Sequence, residues 1–301
     1  MAENSPIEWT HHTFNPWEGC QKTGPGCEHC YAEARNARFG AGRAVNWGPG
    51  APRRRTSAAN WRKPLAWNAK HEAFFAAHGC RQRVFCASLA DVFDNAVDSA
   101  WRADLLRSIM ATPNLDWLLL TKRIGNAGAM LDEAVFGATK GWFKWRSGGG
   151  RYGGYYLKNI WIGATICNQE EADRDIPKLL RLPAAKRFLS LEPLLGAVDW
   201  SPWLDIIEYE EGAPWGRRNI GHLRDMPEWV IVGGESGPGA RPMHPDWARS
   251  LRDQCQGAGV PFFFKQWGQW RQHAGKTFIE VGKKAAGRLL DGREWDEVPA
   301  C

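Results

Sequence analysis

Six short apolar runs alternate with helix-like stretches along this chain, and that alternation limits the fold more than any other feature. The runs are Arg83–Leu89, Asp116–Arg123, Asn159–Cys167, Lys186–Leu195, Glu228–Gly237 and Val260–Gly268. Each is nearly continuous in apolar residues up to a polar tip, as a strand buried on both faces by covering helices reads. Helical patterns lie between them at Ser99–Ala111, at Gln169–Leu182 with an internal proline, and at Pro245–Gln256. Asp98 or Ser99 suits the cap of the first, and the Gly257–Gly259 region ends the last. A further strand is expected near His12–Trp17. Alternation of this kind implies right-handed βαβ units and a parallel sheet. The expected class is α/β, a full or partial (β/α) barrel with parallel strands; the alternative is an open doubly wound parallel sheet.

In either architecture ligands gather at the carboxyl ends of the strands. Those tips carry Ser88 and Asp91; Thr121, Lys122 and Arg123; Thr165 and Asn168; Ser190 and Glu192; Gly233, Gly234, Glu235 and Ser236; Lys265 and Gln266. Pro193 holds the residue before it extended, which keeps the Glu192 carboxylate at the strand end. A cap or a loop hydrogen bond is the plainer use of any one of these side chains.

The chain of 301 residues reads as one barrel-type domain over 1–270 with a C-terminal extension over 271–301. Two stretches look inserted. Residues 40–64 are rich in Gly, Pro and Arg, and residues 137–158 mix Gly, six aromatics including Trp142 and Trp145, and five basic residues with no acid. The net charge is +6, but the segment Arg35–Arg83 alone carries ten net positive charges. Together with 18 Trp, these stretches give the composition of a rim that stacks on bases and contacts phosphates; a solvated basic face is the plainer alternative. No run approaches the roughly 18 apolar residues of a membrane span, and the N-terminus has no basic and apolar leader pattern, so a cytoplasmic protein is expected.

Eight cysteines are present. Cys20, Cys27 and Cys30 stand together as C-x6-C-x2-C in a glycine-rich loop, which points to metal or redox ligation. Zinc would need a fourth ligand, such as His29, His11 or His12. Three thiolates on a 4Fe–4S cluster would instead leave one iron open to a ligand such as S-adenosylmethionine (SAM). Cys86 and Cys167 read as small core residues. Cys80, Cys255 and Cys301 carry no pattern.

The segments IEWTHHTFNPWEGC and GCEHCYAE near the start, SLADVF at Ser88–Phe93, LLTKR at Leu119–Arg123, SLEPLLG at Ser190–Gly196, Trp229–Trp247 and Gly259–Gly268 carry a resemblance. The chain resembles a phage- and bacteria-borne family of three-cysteine-motif proteins grouped with radical SAM enzymes. The resemblance implies one 4Fe–4S cluster on Cys20, Cys27 and Cys30, reductive cleavage of SAM, and an electron donor such as flavodoxin or ferredoxin. The usual radical SAM spacing is C-x3-C-x2-C, so three extra residues stand in this loop. Asp91, Thr121, Arg123, Gly233, Gly234, Ser236 and Gln266 are then the candidate cofactor contacts. Glu192, Glu235 and Lys122 are the candidate catalytic groups, with Glu235 on the substrate side because its Gly-Gly-Glu follows a late strand. A nucleic acid or nucleotide is the expected substrate. The alternative is a zinc- or iron–sulfur-stabilised nucleic-acid-binding protein without SAM chemistry.

Overall fold

The apolar runs pair with one another in chain order. The computed structural model describes residues 5–140, 158–204, 226–273 and 277–300. One parallel sheet contains β1 (His12–Thr13), β2 (Gln82–Cys86), β3 (Leu115–Thr121), β4 (Ile160–Thr165), β5 (Lys186–Leu191), β6 (Trp229–Gly233) and β7 (Phe262–Gln266). Strand order equals sequence order throughout, so there is no reversal point and the doubly wound alternative falls. With every crossover right-handed, the helices stand on one face and the sheet is an open (β/α) half-barrel. The helices of the chain include α1 (Tyr31–Phe39), which borders the cavity, and α2 (Ser99–Met110), α3 (Ile124–Ala138), α4 (Gln169–Leu180) and α5 (Pro245–Ala258), which pack on the sheet. Their starts follow from local side chains. Asp98 accepts from the Ala100 amide, Asn168 from the Glu171 amide and His244 from the Asp246 amide. Gly259, at φ +66°, turns the chain out of α5.

Alternation along each strand divides the core in two. Trp117, Leu119, Ile162, Leu189 and Val230 face the helices in the larger cluster. Their neighbours Leu118, Trp161, Phe188, Trp229 and Phe263 face inward and form a second cluster with no helix residue in it. Trp9, from the segment before β1, closes this inner cluster, with its ring centroid 4.7 Å from that of Phe85. Trp229 sits at the centre, edge-on to Trp9, Trp161 and Phe263 at 6.2 Å each.

Three stretches differ from their sequence reading. The strand near His12–Trp17 splits: His12–Thr13 joins the sheet, while Trp17–Glu18 pairs antiparallel with Arg54–Arg55. The Gly/Pro/Arg stretch is therefore tied down, and its Arg53 is fully buried against Asp94 at 2.7 Å. That corrects the expectation of Arg53 as part of a phosphate-binding rim, because its guanidinium is spent inside the protein. The C-terminal stretch is likewise built in. Leu290 and Trp295 belong to the larger core, and Asp296 bridges antiparallel to Phe263, covering the edge of β7. The aromatic stretch from 141 to 157, with Trp142 and Trp145, lies outside the described residues.

Replacing Trp229 with Ala removes the centre of the inner cluster, at a cost of about 3–5 kcal/mol. Urea unfolding of the full chain is expected to show that loss; a change under about 1 kcal/mol would mean the inner rings do not support the barrel.

Candidate functional site

The cysteine loop leaves the carboxyl end of β1 and lies across the mouth of the half-barrel. The Gly19 amide bonds to the Leu89 carbonyl at 3.1 Å, and Pro25–Cys27 form a single 3-10 turn. Cys30 then caps α1, so the C-x2-C spacing is the distance from one tight turn to a helix start. The amides of Ala32 and Glu33 favour a thiolate at Cys30, but burial outweighs them and raises its pKa. Burial also pushes Cys20 up to about 11, with Arg123 opposing.

All three cysteines line one cavity of about 660 Å³, together with Lys122, Glu192 and Gln266. Asp91, Thr121, Arg123, Gly234, Glu235 and Ser236 line it as well. The strand tips named from sequence thus meet on one side of the sheet. Gly233 stands behind this wall, where a Cβ would lie 3.2 Å from the Glu192 side chain. At Gly234 a Cβ would come within 2.0 Å of the Trp267 carbonyl, so the second glycine serves close backbone packing.

Three ion pairs, together with Lys122, organise the charge around the strand tips. Asp91 is saturated: it accepts from the Phe93 amide at 2.9 Å, the Thr121 hydroxyl at 2.7 Å, the Lys122 amide at 3.1 Å and Arg123 at 3.2 Å. Arg123 in turn reaches the Cys20 sulfur at 3.4 Å and the Gln21 carbonyl at 2.7 Å. Asp91 and Thr121 therefore act on the cysteine loop through Arg123. Across the mouth, Lys265 bonds both oxygens of Glu192 at 2.7 and 2.8 Å, and the Gln266 amide donates to the same carboxylate at 3.1 Å. Glu235 is paired with Arg241. Burial raises its pKa, but hydrogen bonds from Arg241 outweigh that and hold the carboxyl below its usual range.

Lys122 differs. Among the described residues its ammonium has no hydrogen-bonded carboxylate. Burial opposes its charge, but Cys167, Cys27, Cys30 and Asp91 overcome that opposition and raise its pKa. Cys167 is the residue that the sequence reading misplaced. It is buried, but not as a plain core residue: a Cβ on Gly26 would lie 2.3 Å from its sulfur and 3.4 Å from the Lys122 side chain. Burial pushes its thiol up to about 12. The signal was the inward parity of β4, since Trp161, Gly163 and Thr165 lead in steps of two to Cys167. Arg241 was missed because it lies on a loop with no periodic pattern.

Several other expectations are placed elsewhere. Cys86 and Cys255 sit in the helix-side core. His12 bonds Gln82 at 2.7 Å and stacks on Trp67, and His11 accepts from the Arg83 amide, so neither is placed to complete a zinc site. Asn168 caps α4. Among the described residues no three His, Cys, Asp or Glu side chains stand close enough together to hold a metal ion. The three thiols share one wall, but they do not converge on one point.

Fold and site together define an α/β half-barrel whose mouth is crossed by a three-thiol loop. The chain belongs to a family described as "Protein of unknown function (DUF5131)", whose profile matches residues 4–299. A comparison with proteins of curated function finds no match. Among solved structures, a spore photoproduct lyase double mutant with bound AdoMet and a dinucleoside spore photoproduct is similar at 13% identity and a TM-score of 0.35. That alignment covers 61% of this chain and 46% of the lyase.

The close contact at Gly26 can be tested directly. Gly26→Ala is expected to lose about 1–3 kcal/mol by overpacking against the Cys167 sulfur. Cys167→Ala should relieve most of it, leaving a coupling of at least about 0.5 kcal/mol in a double-mutant cycle read by urea unfolding. Additive losses would place the thiol elsewhere.

Proposed function

We propose that this chain is a radical SAM-type enzyme that holds one 4Fe–4S cluster on Cys20, Cys27 and Cys30. The observation that carries the reading is the shared cavity. Three soft thiols and residues from the ends of all seven sheet strands line one space at the carboxyl mouth of a half-barrel, where parallel α/β folds place their chemistry. The donor chemistry fits an iron–sulfur group: Arg123 already touches the Cys20 sulfur, and Lys122 brings positive charge to Cys27 and Cys30. Hydrogen bonds and charges of this kind tune such clusters. Binding the cluster would bring the three sulfurs onto one group, and metal binding of this kind is coupled to local ordering of the chain. When bound, the cluster supplies one electron to the SAM sulfonium and a carbon radical forms as a C–S bond breaks.

The chain's own groups divide the remaining tasks. Lys122 offers an unpaired ammonium to an anionic group, the SAM carboxylate in this reading. Glu192, held by Lys265 and Gln266, presents hydrogen-bonding groups to the substrate from the opposite wall. The inner rings beneath the cavity form an apolar floor. An external reductant of the flavodoxin or ferredoxin type completes the reaction.

Anaerobic purification tests the reading. A brown protein with about four irons and absorption near roughly 400 nm is expected. Cys27→Ala should abolish that absorption, while Cys80→Ala and Cys255→Ala should leave it. With a reductant and SAM, the loaded enzyme should release 5′-deoxyadenosine, or methylthioadenosine if the other C–S bond is cut. A colourless protein holding zinc would favour the binding-protein alternative instead.

A further inference from the structure

We propose that Arg241, held by Glu235, is a positioning residue that fixes the Cys27–Cys30 end of the cysteine loop against the barrel mouth. The proposal rests on the reading that this loop carries the cluster, and it concerns where the thiols stand rather than what they bind. The contacts are specific. Nε and one terminal nitrogen of Arg241 donate to the two oxygens of Glu235 at 2.8 and 2.7 Å. The Arg241 amide donates to Glu235 as well, at 2.9 Å. The same guanidinium reaches across to the loop, where it bonds the Pro25 carbonyl at 2.8 Å and Glu28 at 2.6 Å. One planar group thus joins the tip of β6 to the turn that carries Cys27.

These contacts are unequal. The Glu28 arm is more than half exposed and contributes little. The Glu235 carboxylate is only 5% exposed, and a bidentate buried pair of this type is directional and strong. The turn around Arg241 also closes on the loop. Gly239, at φ +78°, lies where a side chain would meet the His29 ring at 2.7 Å. Both oxygens of Glu235 are therefore committed, and its lowered pKa makes it a poor proton donor. Its part is to orient Arg241 rather than to react. At the other end of the loop Arg123, anchored by Asp91, holds Cys20 and Gln21. The loop is held at both ends, and a lysine at position 241 could not span the same set of acceptors.

Hydrogen exchange on the full chain without metal tests this independently of any cluster. Arg241→Ala and Glu235→Gln should speed exchange of the amides at 24–30 by about tenfold. Arg241→Lys should fall between these and the wild type. Arg249→Ala, which breaks an exposed pair on α5, should change nothing in the loop. The α5 amides serve as the internal reference: equal acceleration there would mean global loosening and would overturn a local strut. On iron-loaded protein, Arg241→Lys should shift the electron paramagnetic resonance spectrum of the reduced cluster relative to wild type. Unchanged loop exchange in Arg241→Ala, or an unchanged spectrum in Arg241→Lys, overturns the proposal. Failure of the wild type to take up iron would instead sink the cluster reading, with the exchange result standing by itself.

Discussion

A parallel sheet has to be buried on both faces, and among the described residues helices cover one of them. The other face must supply its own cover, and it does so unevenly along the strands. At one end Trp161, Phe188, Trp229 and Phe263 fill the concave side, with Trp9 as a plug from outside the sheet. Moving along the same strands in steps of two, the inward positions become Thr165, Ser190, Glu192 and Lys265, which line the cavity. The site is therefore a continuation of the core by the same alternation, with the apolar side chains replaced by polar ones. Any change that shifts register by one residue would put both rings and polar tips on the helix side.

The basic segment shows how far charge counted along a sequence can differ from charge available to a partner. Of its arginines, Arg53 is buried on Asp94, Arg54 and Arg35 share Glu18, Arg55 pairs with Asp104, and Arg81 with Asp116. Arg55 also lies over the Trp61 ring at 4.4 Å. The segment works as a strap that fastens the N-terminal arm to the barrel. Its partners are acids on other parts of the chain, and they tie up five of the segment's eleven basic side chains once the chain folds.

The strands, their order and the site wall were legible because each rests on a local pattern. Apolar runs with polar tips give both the sheet and the location of Lys122, Glu192 and Gln266, and the C-x6-C-x2-C loop is visible by spacing alone. What was not legible depends on pairs brought together only by folding. Asp91 looks like a free carboxylate in SLADVF, but four donors from the end of β3 and its own turn saturate it. Glu235 reads as a reactive acid beside two glycines until Arg241 appears six residues later with its guanidinium turned back. Cys167 reads as core because the run before it is apolar, although it lies two residues past the end of β4 with its sulfur against Gly26 of the cysteine loop. In each case the residue type was noted and its partner was not, since a partner on another element leaves no periodic trace in sequence.

Charge pairing across the strand tips leaves Lys122 open. Arg123 has Asp91, Arg241 has Glu235 and Lys265 has Glu192. Lys122 stands among the thiols of Cys167, Cys27 and Cys30, and burial pushes Cys167 up to about 12. With that thiol protonated, the Asp91 carboxylate near the ammonium is already saturated by four donors, so the buried charge is poorly matched, which is a costly arrangement. Two kinds of group would relieve it, thiolates bound to a metal and the anionic end of a ligand. Both are negative, and both would stand in the cavity that the cysteine loop and the strand tips share. The lysine is flexible enough to serve either, whereas the arginines beside it are locked in planar pairs that hold the loop. The division of labour follows from side-chain chemistry: rigid guanidinium groups fasten the frame, and the Lys122 ammonium is left facing the cavity.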